Sequence, residues 1–308
     1  TIYNKKNTLF GNYGYYDANK EIVYLDKRAT LANQEQTITS DTMLYEKSIG
    51  HAKAFSDVIM TDKTRKSLIL GQYAEMWEKR GKGFVTDSLI LINHEQKDSL
   101  YMHGDSLYFY FDTVTHQTTR FQVFYNVRFY RIDIQGKCDS LEYSVADSTV
   151  RMRHLPVLWT QGSQMTSDSI NIVVNNNQID SVLLHPNAFI IQQDSIEGYN
   201  QIKGKTIVAY FKDNELHHVF NDGNAETVYW LREEDGSSIG INFSKSVSMD
   251  IGVENNKIVR ITYFKKTDEV LYPEDEVEES QRYLKAFQWQ EELRPTDKND
   301  IFRPKEEL

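Results

Sequence analysis

The residues best suited to chemistry in this sequence are a glycine- and lysine-bearing loop, a recurring aspartate–hydroxyl pair, two adjacent histidines and an acidic cluster. Gly198–Thr206 is close to a phosphate-binding loop, but five residues rather than four separate its glycines and the stretch after Thr206 alternates like a strand. A phosphate loop needs a helix to open there, so that its first amides can hold the anion. Asp followed by a hydroxyl residue recurs at Asp41, Asp87, Asp105, Asp139 and Asp168 and offers the oxygen donors a hard cation such as calcium takes. Each copy brings one carboxylate, and strand neighbours point to opposite faces. A turn or strand-end role, with Asp accepting backbone N–H bonds, is therefore the expectation. A strand would splay His217 and His218 apart, and Glu233–Asp235 before Gly236 reads as a solvated hairpin tip. The single cysteine, Cys138, excludes an internal disulfide and reads as a small sheet residue. No HExxH or CxxC pattern occurs, and no catalytic residue, metal site or cofactor is expected.

The elements that carry these residues follow from their period. The five Asp positions are spaced by 46, 18, 34 and 29 residues, with a decayed copy at Lys205 another 37 on, which points to stacked copies of one unit with insertions. Two and four residues beyond each Asp stand Met43 and Tyr45, Leu89 and Leu91, Leu107 and Phe109, Leu141 and Tyr143, and Ile170 and Ile172. Period two is the mark of an extended strand. Turn clusters follow at Asp17–Lys20, Asp112–Thr115, Ala146–Ser148, Asn175–Asn177 and Lys212–Asn214, so the unit reads as a β-hairpin. Further hairpins are expected at 68–92, turning at Gly81, and at 246–264, turning at Glu254–Lys257. A second signature sets a polar residue before an apolar alternation, at Asp57, Asn126, Asn187 and Asn224. Gly11–Tyr16 matches Gly71–Met76 at an offset of 60.

The chain has 308 residues, 40% of them apolar, with 19 Tyr and 15 Phe, enough for a sizeable all-β core. Of the net charge of −10, −7 falls between Asp268 and Leu308. A nearly neutral body and an acidic tail offer no basic stripe for nucleic acid or an anionic membrane surface. No apolar run reaches the roughly 18 residues of a transmembrane helix. No signal peptide opens the sequence, and with Thr at position 1 it is expected to start after a removed leader or as a cut piece. The division expected is a β-repeat region, 1–267, either single or of two sub-units parting near 130–160, and an acidic tail, 268–308. The tail should hold a short helix near Glu274, dock a few aromatics and fray beyond Asp297.

Gly104-Asp105-Ser106-Leu107-Tyr108, Asn126-Val127, Gly71–Glu75 and Leu284–Trp289 together resemble the OstA/LptA-like family of periplasmic lipopolysaccharide-transport proteins, over about Leu9 to Ile301. Lys205 and Ala188 depart from its pattern. The resemblance implies a half-open β-jellyroll of two facing sheets, with unpaired ends that join copies or related domains edge to edge. It implies a non-enzymatic module in the periplasm that carries lipopolysaccharide toward the outer membrane, acyl chains inside and sugars outside. The groove expected on that basis is lined by Met43, Leu89, Leu91, Leu107, Phe109, Val127, Phe129, Ile170, Ile172 and Phe189. The alternative is a structural or adhesive β-repeat protein in which these residues fill a closed core. A carbohydrate-active sandwich would need paired carboxylates facing a cleft, and the motifs hold no such pair.

Overall fold

A computed structural model describes residues 2–3, 8–160, 162–176, 178–194, 196, 198–213, 215–254 and 257–303. The expected turn residues Asn177, Asn214, Asn255 and Asn256 lie outside the described residues. The chain forms two compact units: unit 1 is Thr1–Ile132, Asp139–Asp147 and Pro295–Leu308, and unit 2 is Asp133–Cys138 and Ser148–Arg294.

Unit 1 is built from β1 (Ile2–Tyr3), β2 (Thr8–Phe10), β3 (Tyr13–Asp17), β4 (Ile22–Asp26), β5 (Ala29–Ala32), β6 (Gln36–Ser40), β7 (Thr42–Glu46), β8 (His51–Asp62), β9 (Ser67–Trp77), β10 (Lys82–Asn93), β11 (Leu100–Phe111) and β12 (Thr118–Arg131). Strand β13 (Ile134–Ser144) is divided between the units. Unit 2 holds β14 (Thr149–Arg153), β15 (Val157–Thr160), β16 (Ser163–Thr166), β17 (Ser169–Asn175), β18 (Gln178–Leu184), β19 (Ala188–Gln193), β20 (Tyr199–Gly204), β21 (Thr206–Lys212), β22 (Glu215–Arg232), β23 (Ser238–Glu254), β24 (Lys257–Phe264) and β25 (Asp268–Tyr272). All described pairings are antiparallel, and the fold is a β-jellyroll.

The jellyroll arises because single strands serve two sheets. Residues 51–55 of β8 pair with β7, while 59–62 pair with β6. The bend between them is Ser56–Asp57, both in the left-handed region at φ 59° and 47°. In unit 1 the first sheet runs β3-β4-β7-β8-β9-β10-β11-β12 and the second β1-β2-β5-β6-β8-β9-β10-β11-β12. In unit 2 they run β14-β17-β18-β21-β22-β23-β24 and β13-β15-β16-β19-β20-β22-β23-β25.

Two kinds of corner alternate along each unit. One is left-handed: Lys27–Arg28, Ser56–Asp57, Asp87–Ser88 and Asn126 in unit 1; His154–Leu155, Asn187, Gly223–Asn224 and Lys265–Lys266 in unit 2. Asn and Asp tolerate this conformation better than most residues, which explains the polar residue of the second signature. The other kind is the aspartate motif itself, at Ser40-Asp41-Thr42, Gly104-Asp105-Ser106, Ser167-Asp168-Ser169 and Gly204-Lys205-Thr206. Its first residue is buried and its second exposed. The first must be small, because a Cβ on Gly104 would lie 2.4 Å from Val123 Cγ1 on the next strand, and one on Gly71 would lie 2.4 Å from Val85 Cγ1. Where serine takes the place, its hydroxyl donates across the bend, Ser40 Oγ to Thr42 O at 2.9 Å and Ser167 Oγ to Ser169 O at 2.6 Å. Cys138, buried, has the same place in its copy.

Several expectations change here. The motif marks the middle of a bent rung rather than the start of a hairpin strand; the hairpins lie at the rung ends, as between β3 and β4 or β11 and β12. Asp87, with φ 62°, belongs to the left-handed corners and not to the motif it resembles in sequence. The motif carboxylates accept side-chain rather than backbone N–H bonds: Asn126 Nδ2 donates to both oxygens of Asp105 at 3.1 and 3.2 Å, and Asn187 Nδ2 to both of Asp168 at 3.1 Å. Backbone N–H groups are instead accepted at hairpin turns, by Asp17, Asn33 and Asp112. His217 and His218 are not splayed: a bulge between Tyr210 and Phe211 in the register brings their rings to 6.2 Å. Residues 268–272, expected in the tail, form β25 along β23. The helix expected near Glu274 is a single 3-10 turn, Glu274–Glu276. The tail does not fray at Asp297, since Ile301 is fully buried and Phe302 lies 5.0 Å from the His103 ring.

Gly104→Val should cost about 1–3 kcal/mol in urea unfolding, as overpacking does. Adding Val123→Ala should recover part of that loss; a double-mutant cycle without coupling would show that this contact is not what demands glycine.

Candidate functional site

The interior of unit 1 is the apolar space between its two sheets. Of the expected groove residues, Met43, Leu107 and Phe109 line it from the first sheet, and Leu89, Leu91, Val127 and Phe129 from the second. Burial falls away from the corners. Leu107, Val127, Leu89 and Met43 are 0–1% exposed beside them, Phe109, Leu91 and Phe129 are 4–8% exposed one step out, and Met60, Met76, Phe111 and Phe121 are half-buried beyond. This gradient follows from the topology. Each rung passes between sheets at its corner, whereas the hairpins close the far rim of one sheet or the other, as at 77–82 and 111–118 in the first and 62–67 and 93–100 in the second. The sheets are thus joined along the corners and meet at the opposite rims through side chains. Arg65, on a second-sheet hairpin, donates from Nη2 to Thr118 O on a first-sheet strand at 2.7 Å. An apolar void lies between the sheets, with Ile38 and Met60 on one side and Met43, Ala52, Ala54 and Met76 on the other. Its volume is about 10 Å³, near the roughly 10–15 Å³ that a single water needs.

Ile170 and Ile172 line the equivalent interior of unit 2, opposite Leu184 and Val182 in register and 0–4% exposed. Phe189 does not join them. Asn187 is the left-handed residue, so Ala188 and Ile190 turn inward, pairing with Gly204 and Ile202, and Phe189 faces outward with Lys203. It is 4% exposed nonetheless. The outer face it belongs to is covered by the C-terminal segment, held through buried glutamines. Gln164 Nε2 donates to Gln288 O and Gln290 N donates to Gln164 Oε1, both at 2.7 Å. Gln201 makes the same pair with Arg282 O and Leu284 N, both at 2.8 Å, and Arg294 Nε donates to Gln135 Oε1 at 2.8 Å. Val277 adds an apolar contact with Val228, Trp230 and Ile241.

Docking of tail aromatics was expected, and Phe287 and Trp289 lie 5.1 and 5.2 Å from the Tyr199 ring; the glutamine contacts and the void were not, though signals existed. Gln135, Gln164 and Gln201 each stand four residues before a motif position, 139, 168 and 205, and each is at most 2% exposed. The alternation His51-Ala52-Lys53-Ala54 places two small residues inward beside the void. The most perturbed group lining the interior is Tyr45, whose hydroxyl donates to Glu78 Oε2 at 3.0 Å. Burial, then the Glu78 charge and this hydrogen bond, push its pKa from 10 to about 12. No cluster of three or more metal-capable side chains occurs among the described residues. None of their helices is long and apolar enough to cross a membrane, which says nothing of β-barrels.

No protein-family model and no curated protein matches the sequence. Among solved structures, the chain is similar to LptH, the LptA-homologous periplasmic component of the lipopolysaccharide transport device of Pseudomonas aeruginosa. The identity is 14% and the TM-score 0.37, over 46% of this chain and 95% of that one.

Gln164→Leu would leave the buried carbonyl of Gln288 and amide of Gln290 without their partners, a loss of about 2 kcal/mol or more. Faster amide exchange at Gln290 should report it. Folding holds the Tyr45 proton more tightly than the unfolded chain does, so stability present below pH 10 should fall as pH rises toward 12. Tyr45→Phe should flatten that fall in denaturant midpoints measured from pH 9 to about 12.

Proposed function

We propose that the chain is a non-enzymatic carrier that takes acyl chains between the two sheets of a jellyroll unit. The observation that supports it most is the one-sided joint. A lined apolar interior, sealed at its corners and closed at its rims by side chains alone, can admit a hydrocarbon without breaking a strand ladder. Each buried CH2 contributes about 0.8 kcal/mol, and Arg65 would be released as the rims part. Lipopolysaccharide as cargo, the periplasm as compartment and the outer membrane as destination rest on the resemblance of the repeat motifs to the OstA/LptA-like family. The free edges fit edge-to-edge assembly with another copy or another jellyroll domain. Among the described residues, strand β3 pairs only with β4 and exposes Tyr13, Tyr15 and Tyr16, while β24 and β25 pair only with β23 and expose Val259, Phe264 and Leu271. Such edges are normally blunted.

A second reading, a structural or adhesive protein with a closed core, draws on the small void in unit 1. Photocrosslinking separates the two. A benzophenone side chain at Met60, Met76 or Phe111, facing inward near the rims, should capture the acyl chains of co-purified or added lipopolysaccharide, and more so in Arg65→Ala; one at Ile59 or Lys53, facing outward, should not. Capture absent at the inward positions, or equal at both sets, would favour the closed core.

A further inference from the structure

The lining of unit 2 changes from apolar to polar at β22. Side chains that face its interior form rows across the strands. Beside the corners of the first sheet the row reads Ile170, Leu184, Ile207, Asn221, Met249, Tyr263. In the second sheet it reads Met165, Ile190, Ile202, Thr227, Ser244, Glu269. Both rows turn polar on the same strand because β22 serves both sheets. The equivalent rows of unit 1 are apolar at every strand, from Leu25 to Val123 and from Leu31 to Phe129. Asn221 takes the place that Val123 has there: a Cβ on Gly204 would lie 1.8 Å from Asn221 Oδ1, as one on Gly104 would lie 2.4 Å from Val123 Cγ1.

These polar groups are inside the unit. Asn221, Thr227 and Ser244 are 0–1% exposed, and Asn242, beside them on β23, is 9% exposed. Thr227 Oγ1 and Ser244 Oγ lie 2.5 Å apart. Asn242 Nδ2 donates to Glu269 Oε1 at 2.9 Å, and the Tyr263 hydroxyl, from the first sheet, donates to the same oxygen at 3.1 Å. Asn221 Nδ2 donates to Lys203 O at 2.9 Å, while its buried Oδ1 has no partner among the described residues. One step out on the first sheet, Val219, Ile251 and Ile261 stay apolar, so this end of the interior has one apolar wall and one polar wall.

Hydrocarbon entering here would separate Glu269 from Tyr263 and Asn242 and lay CH2 groups against hydroxyls and an amide that water does not reach. A buried polar group turned toward hydrocarbon costs more than the apolar contact returns. In unit 1, by contrast, parting the rims frees Arg65 into water. We propose that the polar rows over β22–β25 form a sill that stops acyl chains, so that the acyl site of unit 2 ends at β21. The sill rests on the carrier reading and sets its extent. A second copy or domain joined along β24 and β25 shares an edge there without a continuous hydrocarbon path.

Benzophenone scanning of the whole protein with added lipopolysaccharide is the test. Val174, two residues beyond Ile172 on β17, should capture acyl chains as Met76 does in unit 1. Tyr229 on β22 and Leu271 on β25, which flank Asn242 in register, should capture about tenfold less, as a cost near 1.4 kcal/mol implies. Thr227→Val, Ser244→Ala, Asn242→Leu and Glu269→Leu together should raise capture at Tyr229 toward that at Val174. Equal capture at Val174, Tyr229 and Leu271 in the unsubstituted protein would overturn the sill and leave the carrier reading standing. So would capture at Met76 with none at Val174, or a folded fourfold variant that still captures nothing at Tyr229. Capture at none of these positions, Met76 included, would sink the carrier reading and the sill together. The scan of the unsubstituted protein decides the matter even if the fourfold variant does not fold.

Discussion

Everything in this protein depends on bending a strand from one sheet into another while its neighbours bend in step. A corner that leaves the ladder would strand buried backbone groups, so the turn is made within one or two residues. Left-handed conformations do this on alternate rungs, and a small inward residue does it on the rungs between. Because rungs stack, the inward Val123 of one occupies the space a side chain on Gly104 of the next would need. The corners are therefore mutually constrained, and the bidentate contacts of Asn126 and Asn187 with Asp105 and Asp168 tie adjacent ones together.

Joining the sheets along one side sets the character of each interior. Side chains next to the corners are as buried as any core, and those near the rims are not, so looseness is confined to the side where no chain crosses. Around Ile38, Met43 and Met60 the sheets of unit 1 leave a void of about 10 Å³ between them, and the topology joins them along one side. Closure at the rims depends on side-chain contacts such as that of Arg65, which cost little to release compared with a row of ladder hydrogen bonds.

The two outer faces meet water differently. In unit 2 the C-terminal segment lies over the second sheet, and glutamine side chains pair with its backbone as a neighbouring strand would. Backbone recognition makes no demand on the acidic side chains between the anchors, while Val277, Phe287, Trp289 and Arg294 add side-chain contacts of their own. In unit 1 the residues around Ile301 cover strands β11 and β12 near His103, while Phe55 and Tyr108 on the outer face of the first sheet stay exposed.

The all-β class, the hairpin turns and most of the inward residues were legible in the sequence, because alternation with period two is a local property. Leu107, Phe109, Ile170 and Ile172 could be assigned from their distance to an Asp alone. The phase of Phe189 was legible too, because Asn126 turns its first and third followers, Val127 and Phe129, inward, and the same offsets from Asn187 give Ala188 and Ile190. The place of the tail was not, because Gln164 and Gln290 are distant in sequence and a buried glutamine resembles a surface one until its partner is known. Local chemistry determined the strands; which sheet each half-strand entered, and what covered its outer face, was decided by packing between segments far apart in the chain.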